Sequence, residues 1–510
     1  MAVSKQISRF LPSSIIQALL LMILVIEWYC SLSWRQVHDS PILNYVAFLI
    51  HEQGKLPYKD IFETSMPGTI GFHLLITKIF GYSDLGFRCA DMLFFALLSI
   101  VTFKILQFWD KRTALLGSIF FGLYYLWEGH SMSLERDYLS ILPLACCFLS
   151  VMSGKNYLFS GICWAVAFWI KPHTVLAGSI CLIFLFFSNK KQLKTYVLYN
   201  CLGFIIVSTI IVFILWQADI LNDWWKITTE FLPKHIRMAH NLEVLDSKER
   251  IPYLWRGLRT FGQQGKWLLP LLTSFICHIF FLKKNDPTRK YILLITGCVV
   301  FFWLYTAISG QFWKYHWMPF KYCLILGATT LFSERVWKST VGMAVSSILT
   351  RDMIYCLFLI LFSYKYVQPI PQWPSYIHGE RMVSEKNLLA DELTKIIMNH
   401  TNESDKVQVV DWTEGSIQAL LQSKRTLATS FLYDYMFYLD VKSPYTQQLR
   451  KRFLQELRDV NPVLIIEMKH RVRVSGKYTG TSFPEWDKWI AENYVKIIDT
   501  EDYFIFQKNR

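Results

Sequence analysis

The chain has no cysteine framework. Its 11 cysteines all lie in apolar segments or at their ends, none forms a CxxC pair, and none falls in the long polar regions. A disulfide-stapled exterior and a thiolate metal or redox centre are therefore not expected. GxGxxG is also missing, so no nucleotide site is assigned. No internal repeat is apparent, which argues against a transporter built from repeats around a midplane site. The first apolar run, residues 15–32, is too long for a cleaved signal peptide and is poorly followed by small residues, so it reads as a membrane helix.

Apolar blocks are what the sequence has in abundance: of 510 residues 53% are hydrophobic and 16% aromatic. The blocks are separated by short charged stretches, the pattern of a polytopic membrane protein, and their spacing predicts about eleven spans. The net charge of +14 is explained by basic residues at span ends, so no nucleic-acid partner is expected. With the N-terminus inside, about fourteen Lys and Arg fall on inner loops and about four on short outer connections, a positive-inside bias. An odd number of spans then puts the C-terminus outside. The expected architecture is a polytopic α-helical membrane domain over residues 1–364, with outer loops at 33–88 and 217–266. A soluble extracytoplasmic α/β domain over 365–510 follows a proline-punctuated linker, QPIPQWP. In it VQVVDW and PVLIIEM read as buried strands, while residues 416–421, 447–457 and 486–493 have helical spacing.

The first outer loop opens on an acidic residue, Asp39, directly where the chain leaves the membrane. Asp39 and Ser40 precede Pro41, so either is a candidate N-cap for an amphipathic helix that runs to Gln53 and stops at Gly54. That helix is expected to lie along the membrane surface. In the loop 217–266, DWWKITTEFLPKHIRMAH is expected to rest on lipid and headgroups and to gate entry from the membrane.

A first span followed by an acidic residue and a surface helix, then G-x-L-P-Y-x-D-x-F-E-x-x-x-P-G at residues 54–68 and F-G-x-S-D-L-G-F-R at residues 80–88, resembles the GT-C fold glycosyltransferases. The nearest branches are the protein O-mannosyltransferases and the lipid A aminoarabinose transferase. The resemblance implies a multispanning enzyme that takes a sugar from a polyprenyl-phosphate carrier on the outer membrane face. It also implies a protein, lipid or glycan acceptor and an integral location, as in a bacterial inner membrane. The family's lysine before paired prolines is replaced here by Thr64-Ser65-Met66-Pro67, so other cations must hold the phosphate.

Such a reaction needs a carboxylate to deprotonate the acceptor and cations to hold developing phosphate charge. Asp39 is the candidate base, working by position, with a divalent metal ion as a possible aid. In the second outer connection, WEGHSMSLERDYLS, both Glu135 and Asp137 match the family's second acidic residue, the alternative being a salt bridge centred on Arg136. For the donor phosphate the candidates are Lys59, Arg88, Lys171 with His173, and Lys314 with His316 in QFWKYHWMPF. Arg88 has a simpler alternative in Asp91, one helical turn on. A surface-polysaccharide polymerase or ligase and a multispanning transporter remain the rival readings.

Overall fold

The computed structural model describes residues 11–239, 242–259, 265–309, 312–344, 348–369, 383–469 and 474–509. The proline-rich linker expected at 368–374 falls largely outside them.

The N-terminal part is helical: α1 (Leu11–Cys30), α2 (Asp39–Gln53), α3 (Pro67–Phe80), α4 (Asp84–Leu106), α5 (Lys111–Glu128), α6 (Arg136–Ser153), α7 (Tyr157–Ile170), α8 (Gly178–Ser188) and α9 (Lys190–Gln217). After the long outer loop come α10 (Leu268–Ile276), α11 (Thr288–Ser309) and α12 (Met318–Thr329). Local chemistry sets several of these ends. Ser83 caps α4 by accepting the Gly86 amide at 3.0 Å, and Asp110 caps α5 by accepting that of Thr113 at 2.8 Å. Gly54, at φ 62°, closes α2 as the sequence predicts.

Among the described residues, five helices are long and apolar enough to cross a membrane: Ser13–Ser33, Asp84–Leu106, Arg136–Ser153, Lys190–Gln217 and Thr288–Thr306. Shorter apolar helices, Tyr157–Ile170, Pro172–Ser188 and Leu268–Phe281, stand where further spans were expected. Another, α12, is buried along its whole length inside the bundle. A run of apolar residues therefore marks burial in protein as well as in lipid, and counting runs does not separate the two. The outer surface of α9 is apolar, with Ile205 and Phe213 more than half exposed, as a lipid-facing helix requires. Against α7 it packs through Gly161 and Gly203, where a Cβ on either would overlap backbone of the other helix.

Residues 383–509 hold a five-stranded sheet flanked by α13 (Glu385–His400), α14 (Ser416–Ser423), α15 (Pro444–Val460) and α16 (Pro484–Asn493). Its strands are β1 (Lys406–Val410), β2 (Thr426–Leu427), β3 (Leu464–Met468), β4 (Tyr494–Asp499) and β5 (Tyr503–Lys508), in the spatial order β2-β1-β3-β5-β4. The β1 strand is parallel to both β2 and β3, with Val407 opposite Leu464, and the last two strands form an antiparallel hairpin.

Two expectations for the outer loops are corrected. Helix α2 does not turn its apolar face to lipid: Ile42, Tyr45, Val46 and Leu49 are all buried, in one hydrophobic cluster with residues of β1, β2 and β3. The Tyr45 hydroxyl donates to the Arg425 carbonyl and accepts from the Leu427 amide, each at 2.8 Å. The apolar face of α2 is thus spent on the C-terminal sheet rather than on lipid. In the long loop, Ile227 and Phe231 join the same cluster, and the Phe231 ring meets Phe62 at 5.2 Å. This segment packs on protein, with Trp225 left exposed.

Candidate active site

Three chain regions enclose a cavity of about 450 Å³. One wall comes from the ends of the apolar helices, with Asp39, Arg136, Lys171, His173 and Lys314. A second comes from the long outer loop through Leu232, His235 and Leu242. The third belongs to the C-terminal unit: Lys386, Trp412, Glu414, Tyr433 and Tyr435.

Asp39 is the first helical residue of α2, and neither it nor Ser40 caps the helix. The cap position is held by His38, which makes no side-chain cap bond, while the Ser40 hydroxyl donates to the Ser133 carbonyl at 3.2 Å. The Asp39 carboxylate is therefore available to the cavity, where Arg136 Nη2 approaches it at 2.5 Å. His38, at φ 57°, precedes Asp39, and Leu134, at φ 51°, precedes Glu135. Non-glycine residues are strained in this region, and they persist where the surroundings dictate the geometry. Both sharp turns stand directly before the acidic residues that the sequence points to.

Behind the wall lies a second layer. Asp137 is fully buried and accepts from Lys171 Nζ at 2.9 Å and from the Tyr305 hydroxyl at 2.8 Å. His316 is equally buried, its Nε2 3.2 Å from the same ammonium. Lys171 is thus aimed by two groups that do not reach the cavity. Burial pushes its pKa down, and Asp137 opposes that shift. Lys314 is held by the Glu128 carboxylate at 3.0 Å and the Glu128 carbonyl at 3.1 Å, and remains half exposed. Glu135 has both carboxylate oxygens buried without a hydrogen bond. Burial, then the charge of Asp39, pushes its pKa well above the usual carboxylate range. Desolvation and neighbouring cations shift the imidazoles of the lining down: His38 beside Lys386, His173 beside Lys171, and His235, beside Arg136, to about 4. Positive charge in the cavity thus comes from Arg136, Lys171, Lys314 and Lys386.

Of the residues singled out in the sequence, Asp39, Lys171, His173 and Lys314 line the cavity, while Glu135, Asp137 and His316 stand behind them. Two others lie elsewhere. Lys59 is at the surface, paired with Asp219 at 2.8 Å. Arg88 is buried, bound to Asp91 and to the Ser31 hydroxyl at 2.6 Å, with Trp34 4.5 Å beneath its guanidinium. The local alternative for Arg88 is the contact observed. The Arg136 ion pair also forms, but with Asp39 across the chain rather than with its neighbours. The aromatic wall at 412–435 was missed, since no sequence pattern ties those residues to Asp39. Among the described residues no group of three or more His, Cys, Asp or Glu side chains is arranged to hold a metal ion.

Residues 70–216 match the sequence profile of the family described as dolichyl-phosphate-mannose-protein mannosyltransferase. No curated protein sequence matches the chain. Among solved structures, ArnT from Cupriavidus metallidurans is similar over 96% of this chain and 97% of its own, at 11% identity. The TM-score is 0.57 for the form bound to undecaprenyl phosphate and 0.59 for the apo state. An oligosaccharyltransferase from Archaeoglobus fulgidus, tethered to an acceptor peptide, matches 88% of this chain and 69% of its own at 11% identity and a TM-score of 0.50. The chain therefore has the GT-C fold of these solved structures, and its residues 70–216 match the profile of the mannosyltransferase family named above.

Proposed function

We propose that the protein is an integral-membrane glycosyltransferase that moves a sugar from a polyprenyl-phosphate carrier to an acceptor on the extracytoplasmic face. The carrying observation is a cavity at the ends of apolar helices in which the Asp39 carboxylate stands among Arg136, Lys171 and Lys314. A lipid-phosphate donor has its leaving group built in, so catalysis needs a base for the acceptor and fixed cations for the departing phosphate.

Asp39 is the base in this reading. Arg136 orients its carboxylate, and Glu135, whose carboxylate oxygens make no hydrogen bond, does not compete for that guanidinium. Lys171, aimed by Asp137 and His316, and Lys314, held by Glu128, take the phosphate oxygens. The transition state carries oxocarbenium character as the sugar leaves. The carrier's tail stays in lipid, beside the apolar outer faces of the spans. The positive-inside bias orients the chain with its N-terminus cytoplasmic and the C-terminal unit outside, in a bacterial inner membrane.

The test uses the full-length protein in lipid nanodiscs with radiolabelled undecaprenyl-phosphate sugars. Loss of label from the donor is followed for wild type and for Asp39→Asn. Turnover that needs Asp39 supports the proposal. Undiminished turnover by a folded Asp39→Asn, or none by wild type with any donor, overturns it.

A further inference from the structure

The wall supplied by the C-terminal unit is built differently from the other two. Connections leave the carboxyl ends of the neighbouring strands β1 and β3 in opposite directions: α14 carries the chain from β1 to β2 on one side, and α16 carries it from β3 to β4 on the other. Such a reversal opens a crevice at the carboxyl ends of the strands, where α/β units bind ligands. The residues facing the cavity, Trp412, Glu414, Tyr433 and Tyr435, come from the loops that follow β1 and β2.

These loops are rigid. Buried Asp411 accepts from the amides of Glu414 and Ser416 at 3.0 and 3.1 Å and from the Ser416 hydroxyl at 2.6 Å, which fixes the turn carrying Trp412. Gly415, at φ 120°, lies where a Cβ would press within 2.7 Å of the Lys386 carbonyl. The Trp412 ring stacks on buried Tyr435 at 4.6 Å and 30°, and Tyr435 meets Tyr433 at 5.6 Å. The Tyr433 hydroxyl reaches Glu63 at 3.4 Å. Trp412 is only partly covered, and with Tyr435 stacked on one side its ring lines the cavity as an apolar surface. Lys386, held by the Thr413 carbonyl at 2.9 Å and paired with Glu414 at 3.5 Å, stands with that carboxylate at its edge as donor and acceptor.

A flat apolar face ringed by a cation, a carboxylate and hydroxyls matches a pyranose ring, whose C–H face is apolar and whose rim is all hydroxyls. An extended peptide instead asks for unpaired backbone groups or alternating side-chain pockets. We infer that this crevice is the acceptor subsite and that the acceptor ends in a sugar residue, stacked on Trp412 with its hydroxyls on Lys386 and Glu414. The inference rests on the transferase reading and names the class of its acceptor. The donor phosphate is assigned to the helix-end cations, which leaves the C-terminal wall for the second substrate.

The test is saturation-transfer difference NMR on the full-length protein in nanodiscs. The probes are the disaccharides cellobiose, maltose and chitobiose, beside a serine- and threonine-containing peptide. At least one disaccharide is expected to receive saturation from wild type, at least fivefold less from Trp412→Ala, and again from Trp412→Phe. Melting temperature is compared for all three proteins, and Lys386→Met gives a second variant outside the aromatic stack. Saturation of the peptide in place of the sugars overturns the inference, as does disaccharide binding indifferent to both Trp412→Ala and Lys386→Met. Wild type that turns over labelled donor but binds no disaccharide sinks the acceptor class alone. Wild type that turns over no donor sinks the transferase reading.

Discussion

Two arginine–carboxylate pairs, one buried and one partly exposed, stand at the ends of neighbouring helices and do different work. Around Arg88 every polar atom has a partner: the guanidinium bonds Asp91, Ser31 and Ser133, and Asp91 also accepts from the Tyr125 hydroxyl at 2.6 Å. Arg88 and Asp91 are 1% and 0% exposed. Around Arg136 the pair with Asp39 opens on the cavity, each side chain about one-fifth exposed, and Glu135 beside it has no hydrogen bond. Satisfied burial marks a structural clamp between α1, α4 and α5. Unfinished hydrogen bonding at a cavity wall marks a place kept for a ligand.

The comparison breaks most decisively at Asp39. Asp39→Asn is expected to lower transfer by about 10²–10⁴-fold, the usual worth of a general base, while its thermal unfolding in detergent stays near that of wild type. Arg88→Met should invert that outcome. Leaving Asp91 as an unpaired buried carboxylate costs about 3–5 kcal/mol, read as a lower midpoint of thermal unfolding, with transfer per folded molecule retained. If Arg88→Met instead abolished transfer in a stable protein, the clamp assignment would be wrong. Next in size is Tyr45→Phe, which leaves the Arg425 carbonyl and Leu427 amide without the hydroxyl that joins them. A loss of about 1–3 kcal/mol is expected, visible as earlier proteolytic release of the C-terminal unit.

The smallest effect is the most specific. Burial raises the pKa of Glu135 in the folded protein, so over the affected range the folded state binds more protons than the unfolded one. Its contribution therefore makes stability fall as pH rises above the ordinary glutamate value of about 4.3. Glu135→Gln removes that penalty, and its stabilising effect should grow from pH 5 to pH 8 in paired melting curves. A gain independent of pH would mean that Glu135 is ionised in the native state.

Patterning made much of the architecture legible. Long apolar blocks named the helices, and VQVVDW and PVLIIEM marked the adjacent parallel strands β1 and β3. The bundle's interior was harder to read, since α12 is as apolar as a lipid-facing helix while touching protein on all sides. Residue 39 stood out as an acid at the end of a span. Lys171, His173 and Lys314 stood out as cations among aromatics at helix ends. Lys59 has the same local signature and failed because Asp219 waits beside it at the surface, a partner 160 residues away.

By itself the sequence determined what depends on neighbours along the chain: helix periods, caps such as Ser83 and Asp110, the stop at Gly54, and the acidic residue where the first span ends. Tertiary structure alone decided which charges meet. It set Arg136 on Asp39, turned α2 inward under the C-terminal sheet, and brought Trp412 and Tyr435 to the same cavity. The physical reason is that local propensity acts over a turn or two of backbone. Ion pairs and ring stacks are fixed by the packing of elements that lie tens to hundreds of residues apart, which no short window of residues encodes.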